Sequence, residues 1–532
     1  MTAKDRRRMR LILLLTLLPV SLAACDSAAP PPAPENGFDA VEATIADIQS
    51  AISDGQTSCE AVIKAYTKRI ATYDKARGVN AITVINPHAA DRARDIDAAL
   101  AAGTSPGPLW CAPLLIKDNF DTHDLPTTGG SAAMTGHLPP DDAFMVRRLR
   151  EAGAIVLAKT NMAEWAFSPR RTESSSYGVT ANAYDTGFVP AGSSGGTASG
   201  VAASFGVAGM GTDTGNSVRG PASHLALFGI RSTIGLTSRD GVIPLAFDRD
   251  IAGPLTRTVE DGARLFTVIA GHDPADPFTA EAQDRPPLDY TDYLDSAGLD
   301  GARIGVLRAL ADPGDSDPRI LALFEDVLAD MTAAGATLVD PFSVPDFAEL
   351  VENGGFCPRF RYDMHDYLES LGPAAPFTDV MTVLETGQHA GYVRDELEFF
   401  ADYPLATPPQ DWQEPCPAYL DHPDRRRFLE AVTAAMDAAE LDVVVHPSWT
   451  APPAPIDRPE EDYRGDNSQL IAPATGMPAA TVPMGYIDDR LPAGLQILAR
   501  RFDEPAIFRI AYAYEQATRH RRPPPGFPAL EE

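Results

Sequence analysis

The chain has 532 residues, of which 44 are Lys or Arg and 74 are Asp or Glu, so its formal net charge is −30 at pH 7. This charge argues against nucleic acid as a partner, because a strongly acidic protein repels phosphates. The ten histidines form no H-E-x-x-H segment, and no predicted strand leads into G-x-G-x-x-G. The sequence therefore predicts neither a metal nor a cofactor.

The first 24 residues have the composition of a secretory signal peptide. Four arginines among residues 6–10 precede an apolar run from Leu11 to Ala24, which is too short to span a membrane as a mature helix. The run ends in Leu22-Ala-Ala-Cys25, which resembles a bacterial lipobox. We expect cleavage before Cys25, lipidation of this cysteine and a proline-rich tether over residues 25–40. The lipid would anchor the exported protein in the bacterial cell envelope, facing the periplasm; an ordinary signal peptide is the alternative.

The rest of the chain contains no internal repeat and no long low-complexity linker. From Val41 to Tyr73 the apolar residues recur at helical spacing, and Thr57-Ser58 is a start signal for a second helix. Helix and strand patterns then alternate, which is typical of a layered α/β sheet. The predicted strands are residues 79–86, 112–117, 155–158, 207–211, 304–308, 337–339, 442–446 and 479–483, and the predicted helices are 87–102, 143–152, 197–205 and 320–333.

The segment from Gly211 to Ser223, GTDTGNSVRGPAS, places Ser217 in a glycine-bounded turn. Thr214, Gly215 and Asn216 precede this serine, so the backbone N–H groups of all four residues could converge on one point, as a hole for a developing oxyanion requires. A serine hydroxyl is a weak nucleophile at neutral pH unless a base takes its proton. The turn therefore predicts a nucleophile whose base lies elsewhere in the chain.

Two segments upstream supply candidate partners. Residues 190–197, PAGSSGGT, contain Ser193, which lies 24 positions before Ser217. The apolar stretch from Ala112 to Ile116 runs directly into Lys117. A lysine at the end of a buried strand is unusual, because burial disfavours its charge.

These three segments resemble the amidase signature hydrolases. The resemblance implies that Lys117 is the base, that Ser193 is a bridging serine joined to Gly192 by a cis peptide bond, and that Ser217 is the nucleophile. It also implies the amidase signature fold, an α/β fold in which helices flank both faces of a large mixed β-sheet, over residues 41–525. The likeness extends to residues 154–164, 476–483 and 494–496, whereas the region from about 273 to 441 is idiosyncratic.

The resemblance implies hydrolysis of a carboxylic acid amide, a small molecule, to acid and amine or ammonia through an acyl-enzyme. Neutral Lys117 would take a proton from Ser193 while Ser193 takes one from Ser217. We expect burial to lower the pKa of Lys117, and Asp118 to face elsewhere and bind backbone groups. The family usually has a glycine where this chain has Asn216. If that position requires positive φ, asparagine tolerates it better than other non-glycine residues, although its side chain could narrow the pocket.

Two other interpretations are open. Gly192-Ser-Ser-Gly-Gly196 fits the G-x-S-x-G elbow of α/β-hydrolases, with Ser194 as the nucleophile. Residues 185–191 argue against this elbow, because their proline and glycine predict a loop where the motif needs a strand. From a different class, the chain could be a non-catalytic, lipid-tethered binding protein on an amidase scaffold, which a serine-reactive fluorophosphonate would not label at Ser217.

Four cysteines remain after Cys25, an even number that suits disulfides in an exported protein. We favour a bridge between Cys357 and Cys416, which both lie in the idiosyncratic region, over one between Cys59 and Cys111.

Charged residues outside the proposed triad have structural interpretations. Asp213 and Arg219 flank the nucleophile and are interpreted as scaffolding that fixes the turn. Asp363, Asp366 and Glu369 lie on a predicted helix and are interpreted as a solvated face rather than as groups that select cationic substrates.

Overall fold

A computed structural model describes residues 38–530. The predicted signal peptide, Cys25 and most of the predicted tether lie outside the described residues. Within residues 38–530, no helix is both long enough and apolar enough to cross a membrane.

The described chain contains thirteen strands. They are β1 Ile82–Ile85, β2 Pro113–Lys117, β3 Ile155–Thr160, β4 Thr172–Ser174, β5 Gly178–Thr180, β6 Ala208–Asp213, β7 Phe228–Arg231, β8 Ile251–Thr256, β9 Arg303–Val306, β10 Thr337–Val339, β11 Val443–Pro447, β12 Ala479–Ile487 and β13 Leu491–Leu498. Each predicted strand overlaps one of these.

The α-helices of residues 38–530 number sixteen. They are α1 Ile45–Ser53, α2 Cys59–Tyr73, α3 Ala89–Ala101, α4 Phe144–Glu151, α5 Gly195–Ala202, α6 Arg219–His224, α7 Val259–Ile269, α8 Arg308–Ala311, α9 Pro318–Ala333, α10 Phe347–Glu352, α11 Phe360–Ser370, α12 Met381–Thr386, α13 Val393–Ala401, α14 Pro423–Ala438, α15 Ala472–Thr475 and α16 Glu504–Thr518. The predicted start signal of α2 is its N-cap, since Ser58 Oγ accepts a hydrogen bond from Ala61 N at 3.2 Å.

Eleven strands form one sheet in the order β1-β3-β2-β6-β8-β7-β12-β13-β11-β9-β10, and β4 pairs with β5. Strand β2 runs parallel to β3 and β6, and β9 runs parallel to β10 and β11. The remaining neighbours are antiparallel. The predicted α/β fold, a large mixed sheet flanked by helices, is confirmed. Every residue of β2, β6 and β8 is buried, so these three strands lie in the core, and Lys117 and Asp213 at their ends have fixed positions.

The sequence predicts no strand at β4, β5, β7, β8 or β13, and the structure corrects this. Gly253 and Pro254 in β8, and Pro492 and Gly494 in β13, weaken the strand pattern. In the folded sheet a glycine is required at one of these positions, because a Cβ on Gly253 would lie 2.1 Å from Ile230 O in β7. The close approach of neighbouring strands therefore overrides the local preference.

Both cysteine pairs form disulfides. Cys357 is bonded to Cys416, as favoured from the sequence. Cys59 is also bonded to Cys111, with Cα atoms 5.6 Å apart, although the sequence analysis ranked this pair lower. Cys59 begins α2 and Cys111 lies just before β2, and only the folded chain brings these elements together.

Candidate active site

Lys117 is the last residue of β2 and is fully buried. Its Nζ donates hydrogen bonds to Ser193 Oγ at 2.7 Å and to Thr212 Oγ1 at 2.7 Å. Asn119 Nδ2 donates to the same threonine hydroxyl at 3.0 Å. The structure therefore brings Lys117 and Ser193 together, and it adds Thr212, which the sequence analysis did not single out.

The surroundings of Lys117 favour its neutral form. Burial lowers the pKa of Lys117 from 10.5 to about 7, although the charges of Asp250 and Asp213 oppose this shift. Asp118 points away, as expected, and accepts a hydrogen bond from the backbone N–H of Thr128 at 3.3 Å. An amine with this pKa is partly neutral at pH 7 and can accept a proton from a serine hydroxyl.

Ser193 lies in the loop that precedes α5. The peptide bond between Gly192 and Ser193 is cis, as the resemblance implies. A Cβ on Gly192 would lie 2.2 Å from Arg171 O and 2.3 Å from Ser168 O, so only glycine fits there. Ser193 O accepts a hydrogen bond from Ala163 N at 3.0 Å. These contacts fix the position of the Ser193 backbone.

Ser217 lies in the turn between β6 and α6, and only 5% of it is exposed. Its Oγ donates to Asn216 Oδ1 at 3.4 Å, and no hydrogen bond joins it to Ser193 in the described part of the chain. The expected chain of contacts therefore reaches from Lys117 to Ser193 and stops there. A proton relay requires Ser217 Oγ to turn from Asn216 to Ser193; catalytic hydrogen bonds often form fully only when substrate binds.

The turn before Ser217 presents open backbone donors. Across residues 38–530, the N–H groups of residues 214–217 have no hydrogen-bond acceptor. By contrast, Val218 N donates to Asp213 Oδ2 at 3.1 Å. Residues 214–217 also line a cavity. Open N–H groups beside a cavity and a serine hydroxyl are what an oxyanion hole requires.

Asp213 and Arg219 form a buried ion pair beneath this turn. Arg219 Nη2 and Arg231 Nη1 each lie 3.1 Å from Asp213 Oδ1. Arg219 Nη2 also donates to Gly215 O at 2.6 Å. Although burial alone would raise it, the charges of Arg219 and Arg231 lower the pKa of Asp213 to about 2. The carboxylate therefore stays ionised, and the pair holds the turn as the sequence analysis interpreted it.

Comparison with known proteins shows the family. The family model for amidases matches residues 61–508 of the chain. The chain belongs to the amidase signature family. This amidase is 34% identical over 498 residues to a subunit of the glutamyl-tRNA(Gln) amidotransferase of Acidothermus cellulolyticus, covering 91% of this chain and 96% of that relative.

Two solved structures have the same fold. The native peptide amidase from Stenotrophomonas maltophilia matches with a TM-score of 0.80 and 35% identity, covering 91% of this amidase and 98% of that chain. An amidase family protein from Bacillus anthracis matches with a TM-score of 0.80 and 29% identity, covering 91% and 92% of the two chains.

A second polar cluster, which the sequence analysis missed, holds Asn216. Asn216 Nδ2 donates to Asp466 Oδ2 at 2.9 Å, and the same oxygen accepts from Tyr463 OH at 2.9 Å and from Gln469 Nε2 at 3.0 Å. Burial raises the pKa of Asp466 to about 7 in spite of these hydrogen bonds. The backbone φ of Asn216 is not positive, so this position does not require a residue that tolerates positive φ. No local pattern links residues separated by 250 positions.

Ser194, the rival nucleophile, faces the sheet of this amidase. Its Oγ donates to Thr212 O at 3.2 Å and accepts from Thr212 N at 3.3 Å, and the side chain is fully buried. Residues 185–191 form no strand. This geometry argues against the α/β-hydrolase elbow, because in that motif the hydroxyl of the nucleophilic serine must be exposed at the end of a strand.

The acidic residues of α11 only partly match their interpretation. Asp363 is 4% exposed, and both of its carboxylate oxygens accept hydrogen bonds from Arg359 Nε at 2.8 Å. The interpretation as a solvated face is therefore wrong for Asp363. Asp366 and Glu369 are exposed, as that interpretation expects.

Among the described residues, one group could offer three ligands to a metal ion. Atoms of His123, Asp124 and Asp142 lie within 4.8 Å of one another. Arg150 already pairs with this group, at 2.5 Å from Asp124 Oδ1 and 3.1 Å from Asp142 Oδ2. The arginine offsets one of the two carboxylate charges, and the group does not line the cavity at Ser217.

The cavity at Ser217 has a volume of about 290 Å³, which suits a small ligand. Its walls combine the turn of residues 214–217 with aromatic side chains and a few charged or polar groups. The lining residues outside residues 214–217 are Ala166, Phe167, Pro169, Leu245, Arg249, Phe356, Glu396, Phe399, Phe400 and Gln469. Half of these come from the idiosyncratic region or beyond it, so the sequence could not place them around Ser217.

Proposed function

We propose that this amidase hydrolyses a carboxylic acid amide to acid and amine or ammonia through an acyl-enzyme on Ser217. The observation that carries the proposal is the fully buried amine of Lys117, 2.7 Å from Ser193 Oγ. Burial lowers its pKa to about 7, so the pair can act as a base at neutral pH.

In the proposed acylation, neutral Lys117 accepts the proton of Ser193 while Ser193 accepts that of Ser217. Ser217 Oγ forms a bond to the carbonyl carbon, and the π electrons of the carbonyl move to its oxygen. The backbone N–H groups of residues 214–217 stabilise this oxyanion, a contribution of about 3–4 kcal/mol per donor in comparable sites. The ammonium of Lys117 then returns a proton through Ser193 to the leaving nitrogen as the C–N bond breaks.

Water completes the proposed cycle. The neutral Lys117–Ser193 pair takes a proton from water, whose oxygen attacks the acyl carbon, and the bond to Ser217 Oγ breaks as that oxygen regains a proton. The acid leaves, and the enzyme returns to its starting state. The buried ion pair of Asp213 and Arg219 takes no part in proton transfer and supports the turn.

Labelling and turnover test this proposal together. A fluorophosphonate should label the folded protein at Ser217, and Ser217→Ala should abolish both labelling and turnover on a panel of amides and esters. The matched control is Ser194→Ala, which should keep both. Labelling that persists in Ser217→Ala and disappears in Ser194→Ala would reverse the assignment, and absence of labelling would favour the non-catalytic binding protein.

The relatives support particular members of the panel. One relative is named a peptide amidase, and another is named as part of a glutamyl-tRNA(Gln) amidotransferase. We therefore include peptide amides and glutamine. Ammonia release from glutamine only after addition of a second protein chain would support an assembly rather than a single-chain hydrolase.

We also propose that the enzyme is exported and anchored by a lipid on Cys25, after removal of residues 1–24. The support is the arginine-rich, apolar leader and its Leu22-Ala-Ala-Cys25 ending. Residues 25–40 would then tether the amidase domain of residues 41–525 to the membrane. Cys25→Ala should move the protein from the membrane fraction of a bacterial host to another fraction, and an unchanged distribution would contradict the anchor.

A further inference from the structure

Arg249 and Ser217 lie at the same edge of the sheet. Strands β6 and β8 are antiparallel neighbours, with Asp213 opposite Ile251. Ser217 follows the end of β6, and Arg249 precedes the start of β8. Both residues line the cavity of about 290 Å³.

The backbone of Arg249 is held firmly. Its N–H donates to Ala246 O at 2.8 Å, and its carbonyl accepts from Arg231 Nη2 at 2.7 Å. The next residue, Asp250, accepts from Leu245 N at 2.8 Å and from Ala246 N at 3.0 Å. These bonds fix the loop, so the Arg249 side chain starts from a defined point in the cavity wall.

The side chain of Arg249, by contrast, has no hydrogen-bond or ion-pair partner among residues 38–530, and its guanidinium carbon lies 5.8 Å from the centre of the Phe356 ring. No carboxylate of the described chain lies within 4.0 Å of its guanidinium, and its buried Nε has no hydrogen-bond acceptor. Of the two acidic residues that flank it in sequence, Asp248 is paired with Arg425 at 2.7 Å, and Asp250 accepts hydrogen bonds from Thr214 and from backbone N–H groups. Asp363 is likewise paired with Arg359.

The charges around Arg249 increase its need for an anion. Burial and then the charge of Arg425 lower the pKa of Arg249 to about 9, although the charge of Asp248 opposes this shift, and the side chain stays cationic at neutral pH. The carboxylate that lines the cavity, Glu396, is exposed on α13 and forms no ion pair with Arg249 in the described part of the chain. A partly buried cation without an anion is unfavourable, and an anionic ligand relieves this cost.

We propose that Arg249 binds a carboxylate of the substrate, so that the enzyme selects amides that carry a carboxylate besides the scissile group. This inference rests on the proposed function, because it concerns the cavity of the Ser217 nucleophile. A planar guanidinium suits a carboxylate, which it can bind through two parallel N–H groups. Apolar walls favour an aromatic or aliphatic spacer between the two groups. These walls include Phe167, Phe356, Phe399 and Phe400.

Matched amides test the inference. The acyl-side pairs are 4-carbamoylbenzoate with 4-methylbenzamide and glutaramate with pentanamide, in which a methyl group replaces the carboxylate. The amine-side pair is N-benzoylglycine with N-ethylbenzamide. The wild-type kcat/KM should favour the charged member of at least one pair, and the pair that responds identifies the side of the scissile bond on which the carboxylate lies.

Arg249→Gln should reduce that preference roughly 10- to 100-fold, the range expected for losing hydrogen bonds to a charged group. Turnover of the neutral members should stay within about threefold of wild type, and Arg249→Lys should retain part of the preference. The control is Arg94→Gln, which removes an exposed arginine paired with Glu60 and should change neither member.

A binding measurement keeps this test separate from the test of hydrolysis. In the Ser217→Ala background, calorimetry with each of the three charged amides should show binding of at least one of them, which Arg249→Gln weakens by the same factor. No charge preference in the wild type, or equal losses on charged and neutral amides in a folded Arg249→Gln, would overturn the inference and leave the hydrolase proposal intact. Absence of turnover on every amide together with Arg249-dependent binding would overturn the hydrolase proposal alone.

Discussion

The protonation state of Lys117 makes a sharp prediction about pH dependence. With its ordinary pKa of 10.5, this amine would be neutral in about one molecule in 3,000 at pH 7, whereas the lowered pKa of about 7 makes about half of the molecules neutral. Only the neutral amine can accept a proton. We therefore expect kcat/KM to rise tenfold per pH unit below pH 7 and to level off above pH 8.

Lys117→Met is the matching perturbation, because methionine fills a similar volume without the amine. Its kcat/KM at pH 8 should fall by about 10³-fold, within the range that a general base contributes. Lys64→Met, which removes an exposed lysine paired with Glu60, should leave activity unchanged.

The assay is the pH profile of kcat/KM from pH 5 to 9.5 on one uncharged amide, with Ser217→Ala as the blank. A second group near the site could mimic the result, because burial raises the pKa of Asp466 to about 7. Asp466→Asn removes this carboxyl and should leave the midpoint in place. A flat profile, a midpoint near 10, or a midpoint that disappears in Asp466→Asn would refute the assignment of Lys117 as the base.

Three further predictions concern stability. The unfolded chain keeps the proton of Lys117 up to about pH 10.5, whereas the folded chain releases it above about pH 7. The free energy of unfolding should therefore rise with pH between these values, by up to about 5 kcal/mol. In urea titrations, Lys117→Met should lack this rise. Asp213→Asn should cost about 3–5 kcal/mol in the same assay, because it leaves Arg219 buried without a carboxylate. Joint replacement of Cys59 and Cys111 by Ala opens a loop with a sequence separation of 52 and should cost about 4 kcal/mol in chain entropy.

Two of the stability predictions have matched control variants. Lys64→Met should keep the wild-type pH dependence of unfolding. Asp91→Asn, which breaks an exposed pair with Arg94, should cost no more than about 1 kcal/mol, and an equal loss from Asp213→Asn would contradict the role given to the buried pair. An unchanged melting temperature after removal of the Cys59–Cys111 bridge would show that the bridge does not constrain the unfolded chain.

Local sequence patterns predicted many of the helices and strands. Ser58 caps α2 because its hydroxyl accepts a hydrogen bond from the backbone N–H three residues later. The continuous apolar run before Lys117 indicates a strand buried on both faces, and β2 is such a strand. These preferences act over a few residues. They failed at β8, where Gly253 and Pro254 weaken the pattern and the approach of β7 decides the outcome.

Some residues of the candidate site could also be predicted from short sequence segments. The sequence by itself supplied the candidate reactive groups, Lys117, Ser193 and Ser217, because their short segments resemble those of the amidase signature hydrolases. Only the tertiary structure decided what surrounds them: Thr212 beside the lysine, Asp466 against Asn216, and Arg249 without an anion. A side chain's partners depend on which distant segments pack against it, and no local pattern encodes a contact across 250 positions.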